Sequence, residues 1–166
     1  MSNSSFIAFF FFLLGACSQV VNSDEIEDQN RNTVTSYVNT IWNNKELDSL
    51  EVYFSGQFVR KVNDIDLAVN NAELTANTQV LFTAFPDLKM YIEEIISVEN
   101  KVFMNWTITG TNLGVFGDHS ATGKKIKFSG ISRIDFNENG KITYENIYYN
   151  ELSQLQQIGY KLLKPI

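Results

Sequence analysis

Apolar residues recur with helical spacing between positions 24 and 43, where Ile26, Val34, Tyr37, Val38, Ile41 and Trp42 fall on one stripe. Asp24, Glu25, Glu27 and Asp28 cluster at its start, where carboxylates suit the positive end of a helix dipole. The pattern predicts a first helix over 24–43. Positions 45–54 add a short helical segment with Leu47, Leu50 and Phe54 on its apolar face, whereas 58–62 is too short to assign. A second helix is predicted over 66–85, with Leu67, Leu74, Leu81 and Phe85 along one side; it ends at Pro86, because the residue before a proline avoids helical geometry. After Pro86 the period changes. Positions 89–98, 101–111, 125–137 and 141–150 are rich in Ile, Val, Phe, Tyr and Thr and read as four successive strands. Glu99-Asn100 and Asn139-Gly140 sit where tight hairpin turns are needed, so the strands form an antiparallel meander. A last helix over 151–158 stops at Gly159, a natural C-terminal cap. Helices followed by a run of strands predict an α+β domain whose helices cover one face of the sheet.

Alternation sorts the strand faces, since successive side chains point to opposite sides. Val102, Met104, Trp106 and Ile108 are predicted to point inward, as are Ile126, Phe128, Gly130, Ile134 and Phe136. On the last strand Ile142, Tyr144, Asn146, Tyr148 and Asn150 share one face, opposite Thr143, Glu145, Ile147 and Tyr149. Tyrosines alternating with asparagines suit a cavity wall, where rings supply area and amides orient a ligand. They equally suit an amphipathic outer face or a tyrosine-rich homodimer interface. The same count puts Asp135 and Glu145 on outer faces, and the adjacent Glu93 and Glu94 on opposite ones.

A chain of 166 residues, 44% hydrophobic and 19% charged, fits one globular domain. Its net charge of -6 and lack of any basic run leave no footprint for a phosphate backbone, so nucleic acid is not an expected partner. The single cysteine, Cys17, and single histidine, His119, cannot build a disulfide framework or a clustered zinc site. A metal site would need carboxylates alone.

Charge is absent from positions 1–23, and 6–16 is an apolar run containing Phe9, Phe10, Phe11 and Phe12. The run is shorter than the roughly 20 residues a membrane-spanning helix needs and fits the core of a cleavable signal peptide. It ends in Leu14-Gly15-Ala16-Cys17, which resembles the lipobox of bacterial lipoproteins, where the cysteine sulfur is acylated and the chain is cut just before it. The organisation expected is a signal peptide over 1–16, a lipidated tether over 17–30 and a domain over 31–166, held at a membrane of the bacterial cell envelope. The plainer alternative makes Cys17 a small buried residue of a core helix.

Five short motifs carry a family resemblance: Ala84-Phe85-Pro86-Asp87-Leu88, Trp106-Thr107-Ile108-Thr109-Gly110-Thr111-Asn112, Thr122-Gly123-Lys124, Gly140-Lys141-Ile142 and Gln156-Gln157-Ile158-Gly159. In this order and spacing they resemble the SnoaL-like polyketide cyclase or ester cyclase family of the NTF2-like superfamily, over roughly 33–160. The resemblance implies an NTF2-like (cystatin-like) α+β fold: a cone-shaped barrel in which a curved antiparallel sheet wraps helices and encloses an apolar cavity. It also implies cofactor-free aldol chemistry on a small apolar carbonyl substrate, with one group taking a proton from carbon and another protonating the forming alkoxide.

The family's acid-base aspartate lies on the last strand, nine residues before the glycine of the closing motif; counting back from Gly159 places Asn150 there. An amide cannot exchange a proton near neutral pH. The family's Gly-Thr-His is Gly110-Thr111-Asn112 here. Trp106, Tyr144, Asn146, Tyr148 and Asn150 are therefore the expected pocket lining; His119, in the 114–123 loop near the rim, is either a second acid-base candidate or, on the plainer reading, a solvated loop histidine. Glu151 could replace Asn150 only if the last strand were bulged by one residue. Two functions fit: an enzyme of cofactor-free proton transfer, or a binding or scaffold domain that kept the pocket and lost the proton carrier.

Overall fold

The computed structural model describes residues 22–161. The signal peptide expected over 1–16, and Cys17, lie outside the described residues. Helix α1 (Ser23–Tyr37) continues through a wider π-helical turn (Val38–Asn43), and a 3-10 turn (Leu47–Ser49) leads into the short α2 (Leu50–Tyr53). Strands β1 (Phe54–Val62) and β2 (Ile65–Ala68) follow, then α3 (Asn71–Ala84), the strands β3 (Lys89–Val98), β4 (Lys101–Thr111), β5 (Lys125–Phe136) and β6 (Ile142–Tyr149), and α4 (Glu151–Ile158). Helix α1 starts inside the stretch expected as tether, and its Asn30 is already buried.

The six strands form one sheet in the order β2-β1-β6-β5-β4-β3, antiparallel except for the parallel β1–β6 pair. The sheet is curved and unclosed, with edges at β2 and β3, and wraps the helices as expected of the α+β fold. Its concave face and the helices share one apolar core running from Val34, Tyr37 and Trp42 to Val102, Trp106, Ile134 and Ile142. Trp106 is 2% exposed and donates from Nε1 to Ser132 Oγ at 3.0 Å, which satisfies its only polar atom. Burying an aromatic of this size contributes about 2–3 kcal/mol.

Local chemistry fixes the element ends. Asn70 caps α3 by accepting from Glu73 N at 2.9 Å, and the Glu73 carboxylate reaches back to accept from Val69 N, one residue before the cap, at 3.0 Å. That cap explains why α3 begins at Asn71 rather than at 66 as periodicity suggested; Ile65–Ala68 instead pairs with β1. Gly159 ends α4 with φ 110°, a conformation only glycine enters cheaply. The Asn139-Gly140 turn is longer than the two residues expected. Phe136 pairs with Ile142, Gly140 N bonds Asn137 O at 3.0 Å, and Gly140 takes φ 67°.

The register between β5 and β6 shifts by one residue: Phe136 faces Ile142, but Asp135 faces Tyr144. Thr143 is therefore a bulge, and beyond it every β6 side chain changes sides. Glu145, Ile147 and Tyr149 point to the core, while Tyr144, Asn146 and Tyr148 point to the convex face. This overturns the expected outward placing of Glu145, which is 2% exposed. A second shift at Glu93 leaves both Glu93 and Glu94 exposed on β3 rather than on opposite faces.

Candidate active site

Two connected cavities lie between the sheet and α3. The inner one, about 70 Å³, is walled by Trp106, Ile108 and Phe128 of β4 and β5, Ile147 and Tyr149 of β6, and Leu88, Met90 and Gln154. The outer one, about 330 Å³, opens between Ile65 and Leu67 of β2, Asn77, Val80 and Leu81 of α3, Phe116 and Glu151. Trp42, Arg60, Val62, Leu67, Leu81 and Tyr149 line both. Even without the inner one, the outer cavity reaches the roughly 300–1,000 Å³ of small-molecule sites, and its wall is mainly apolar. A larger depression of about 620 Å³ lies between α1 and the 137–140 turn, but asparagines and glutamine dominate its lining and it is remote from the aromatic walls.

Sequence periodicity missed the charged residues behind this pocket. Arg60, brought inward by β1, is 3% exposed, and its Nε lies 3.3 Å from Glu145 Oε2. Tyr37, fully buried on α1, donates its hydroxyl to the same carboxylate oxygen at 3.3 Å. The Trp42 ring lies 5.2 Å from the guanidinium carbon, a cation–π contact made stronger by its removal from water. Burial pushes Glu145 above the usual carboxylate range, against the lowering pull of Arg60 and of the Tyr37 hydroxyl. Burial also pushes Tyr37 well above its ordinary value. For Arg60, burial opposes the charge, but Glu145, Tyr37 and Tyr149 outweigh it and hold the guanidinium protonated. Tyr149, whose ring packs 6.2 Å from Trp106, is pushed by burial up to about 12 and stays a neutral phenol at the cavity wall.

A family model, SnoaL-like polyketide cyclase, matches residues 32–158. The chain belongs to this family. Solved structures agree at the level of fold. A Jannaschia sp. CCS1 protein assigned as a SnoaL-like polyketide cyclase superposes with a TM-score of 0.75 at 18% identity, covering 82% of this chain and 96% of its own. AclR from Streptomyces galilaeus, assigned as a hydroxylase, gives 0.71 at 22% identity over 80% of this chain and 97% of its own. IdmH from Streptomyces antibioticus, assigned as a polyketide cyclase, gives 0.68 at 16% over 80% and 99%. No curated protein matches the sequence significantly.

Several residues expected to line the SnoaL-like pocket lie elsewhere. Of the expected lining, Trp106 is in place. Tyr144, Asn146 and Tyr148 are turned to the convex face by the Thr143 bulge, the outer placement that the alternation had left open. There Asn146 Nδ2 and the Tyr148 hydroxyl both donate to Asp64 Oδ1 at 2.7 Å, and the Tyr144 ring lies 5.5 Å from the Arg133 guanidinium. Asn150 is exposed and serves as the cap of α4, its Oδ1 accepting from Ser153 N at 2.9 Å. His119 is exposed in the 112–124 loop with its ring 4.2 Å from that of Tyr160, and is not among the residues lining either cavity. Asn112, standing for the family's histidine, uses its whole amide to close that loop: Nδ2 donates to Gly114 O at 2.8 Å and Oδ1 accepts from Thr122 N at 3.0 Å. Glu151, by contrast, lines the outer cavity. The bulge that removes the tyrosines from the pocket wall is the condition under which Glu151 reaches it.

Proposed function

We propose that this protein binds a small, largely apolar carbonyl compound and closes a ring on it by cofactor-free proton transfer, with the Glu151 carboxylate as the proton carrier. The observation that carries the reading is the position of Glu151: it is the carboxylate residue in the wall of a mainly apolar, two-part cavity of a SnoaL-like domain. In the step proposed, the carboxylate takes a proton from carbon next to a carbonyl. The enolate carbon then bonds to a second carbonyl carbon, and the resulting alkoxide oxygen recovers the proton. Apolar walls contribute by folding the chain so that the two carbons meet.

The test is an open-chain methyl diketone whose intramolecular aldol product, after loss of water, is a conjugated enone followed by its ultraviolet absorbance. Wild-type protein is expected to accelerate enone formation, and Glu151→Gln to lose at least about a hundredfold of that acceleration. Equal rates in the two proteins would remove Glu151 from the chemistry. A second reading, a binding domain without turnover, is favoured by Asn150, whose amide stands at the family's acid-base position and is committed to capping α4. Equal rates with and without protein would favour it. For localisation we propose attachment to a cell-envelope membrane through lipid on Cys17, a reading supported by the uncharged leader and its Leu14-Gly15-Ala16-Cys17 ending.

A further inference from the structure

Arg60 sits in the wall shared by both cavities and is 3% exposed, so its charge has been taken almost wholly out of water. A guanidinium in that position needs acceptors for its fork of N–H donors. Among the described residues none accepts a hydrogen bond from it: Nε is buried and unpartnered although Glu145 Oε2 is 3.3 Å away, because the approach is too oblique. The Trp42 ring covers the guanidinium at 5.2 Å, and Glu145 stands at its Nε edge. Since Nε is closed off, the Nη end is the part left to meet the cavity. The walls beyond it, Leu67, Leu81, Met90 and Phe128 among them, are apolar.

We infer that the pocket takes a small apolar monocarboxylate, seated with its two oxygens on the Nη end of Arg60 and its hydrocarbon part along the apolar walls. Two parallel N–H···O bonds match a planar carboxylate, and an amide or alcohol can satisfy only part of the same fork. Glu145 holds the guanidinium from behind and is itself held by the Tyr37 hydroxyl, which keeps the fork oriented before a ligand arrives. The inference rests on the pocket reading above and names its ligand class; it does not depend on proton transfer by Glu151.

Trp42 and Trp106 both line the inner cavity, so their fluorescence reports its occupancy. Full-length protein is titrated at neutral pH with octanoate, octanamide and octanol, ligands of one chain length that differ only at the head. Octanoate is expected to bind at least about tenfold more tightly than the other two. Arg60→Lys keeps the charge but loses the planar fork, and should bring the preference down to about threefold or less. Because removing one member of a buried pair can unfold the protein, the loss-of-function variant is the double Arg60→Met, Glu145→Leu, checked for fold by circular dichroism. It should bind octanoate no more tightly than octanol. Equal binding of all three ligands by the wild type, binding of none, or a preference that survives in the double variant would each overturn the inference. An octanoate preference without turnover of the diketone leaves this ligand class standing and overturns only the catalytic reading.

Discussion

Glu145 is pulled in two directions, and the balance makes it a pH-sensitive residue of the core. Burial raises its pKa, while the Arg60 charge and the Tyr37 hydroxyl lower it; burial prevails. Between the ordinary glutamate value and the raised one, the folded protein holds a proton that the unfolded chain has released. The stabilisation is thus complete at pH below the ordinary value and is lost as pH rises toward the raised one. Urea midpoints measured across this window should fall with rising pH in the wild type and fall less in Glu145→Gln, which has no proton to lose; identical slopes would show that Glu145 ionises as freely in the fold as in the unfolded chain. The pair with Arg60 makes a companion prediction. Arg60→Met alone strands a buried carboxylate and should cost about 3–5 kcal/mol, whereas Arg60→Met with Glu145→Leu should recover most of that loss. Neither residue announced itself in the sequence, since a lone Arg and a lone Glu on strands count by default as solvent-facing.

The β5–β6 hairpin shows which structural details could be read in advance. Trp106 lies across from Gly130, and a methyl group added at Gly130 would fall 2.6 Å from Trp106 Cη2 and 2.6 Å from the Tyr148 carbonyl oxygen. Gly130→Ala should therefore force the indole from its place, cost about 1–3 kcal/mol by overpacking, and alter the fluorescence of the inner cavity; an unchanged midpoint and spectrum would mean that the ring shifts freely. That contact was legible: β3 and β4 fall at their expected bounds, and the inward face Val102, Met104, Trp106, Ile108 is buried throughout. The last strand was not. Ile142 is apolar in the even frame, while Ile147 and Tyr149 are apolar in the odd one, so either parity looks acceptable until a bulge is placed between them. Such a change of parity within one strand is the signal that could have located Thr143 and, with it, Glu145 and Glu151. Strand β1 escaped for a related reason, since Arg60 interrupts the apolar alternation Phe58-x-x-x-Val62. Its parallel pairing with β6 joins segments more than 80 residues apart, as in Val59 with Tyr144, which no local pattern can show.

At the scale of the whole molecule, strand register separates the end where the chain enters from the end where the cavity opens. Asn30 Nδ2 donates to Glu99 O at 3.3 Å and Glu27 Oε1 accepts from Glu99 N at 3.0 Å, so α1 begins beside the β3–β4 turn. Asn100 Nδ2 donates to Phe136 O at 3.2 Å, which puts the 137–140 turn at the same end. From there α1 climbs toward Trp42 and Asn43, and Asn43 bonds Met90 beside Ile108; the cavity mouth, with Phe116 and Glu151, lies at that far end. A lipid on Cys17, five residues before the first described residue, would accordingly hold the domain by the end opposite the mouth, with the mouth turned toward water. Ligand would then exchange with the aqueous compartment rather than with the bilayer. Two measurements check this arrangement. Protein expressed in a bacterial host should label with a palmitate analogue, and Cys17→Ser should not; equal labelling of both would end the anchor reading. Wild-type protein reconstituted on phosphatidylcholine vesicles should bind octanoate with the same association rate as protein beginning at Ser18 in solution, after correction for octanoate taken up by the lipid. A rate on vesicles that is slowed severalfold would place the mouth against the membrane, and would reverse the orientation argued from the register.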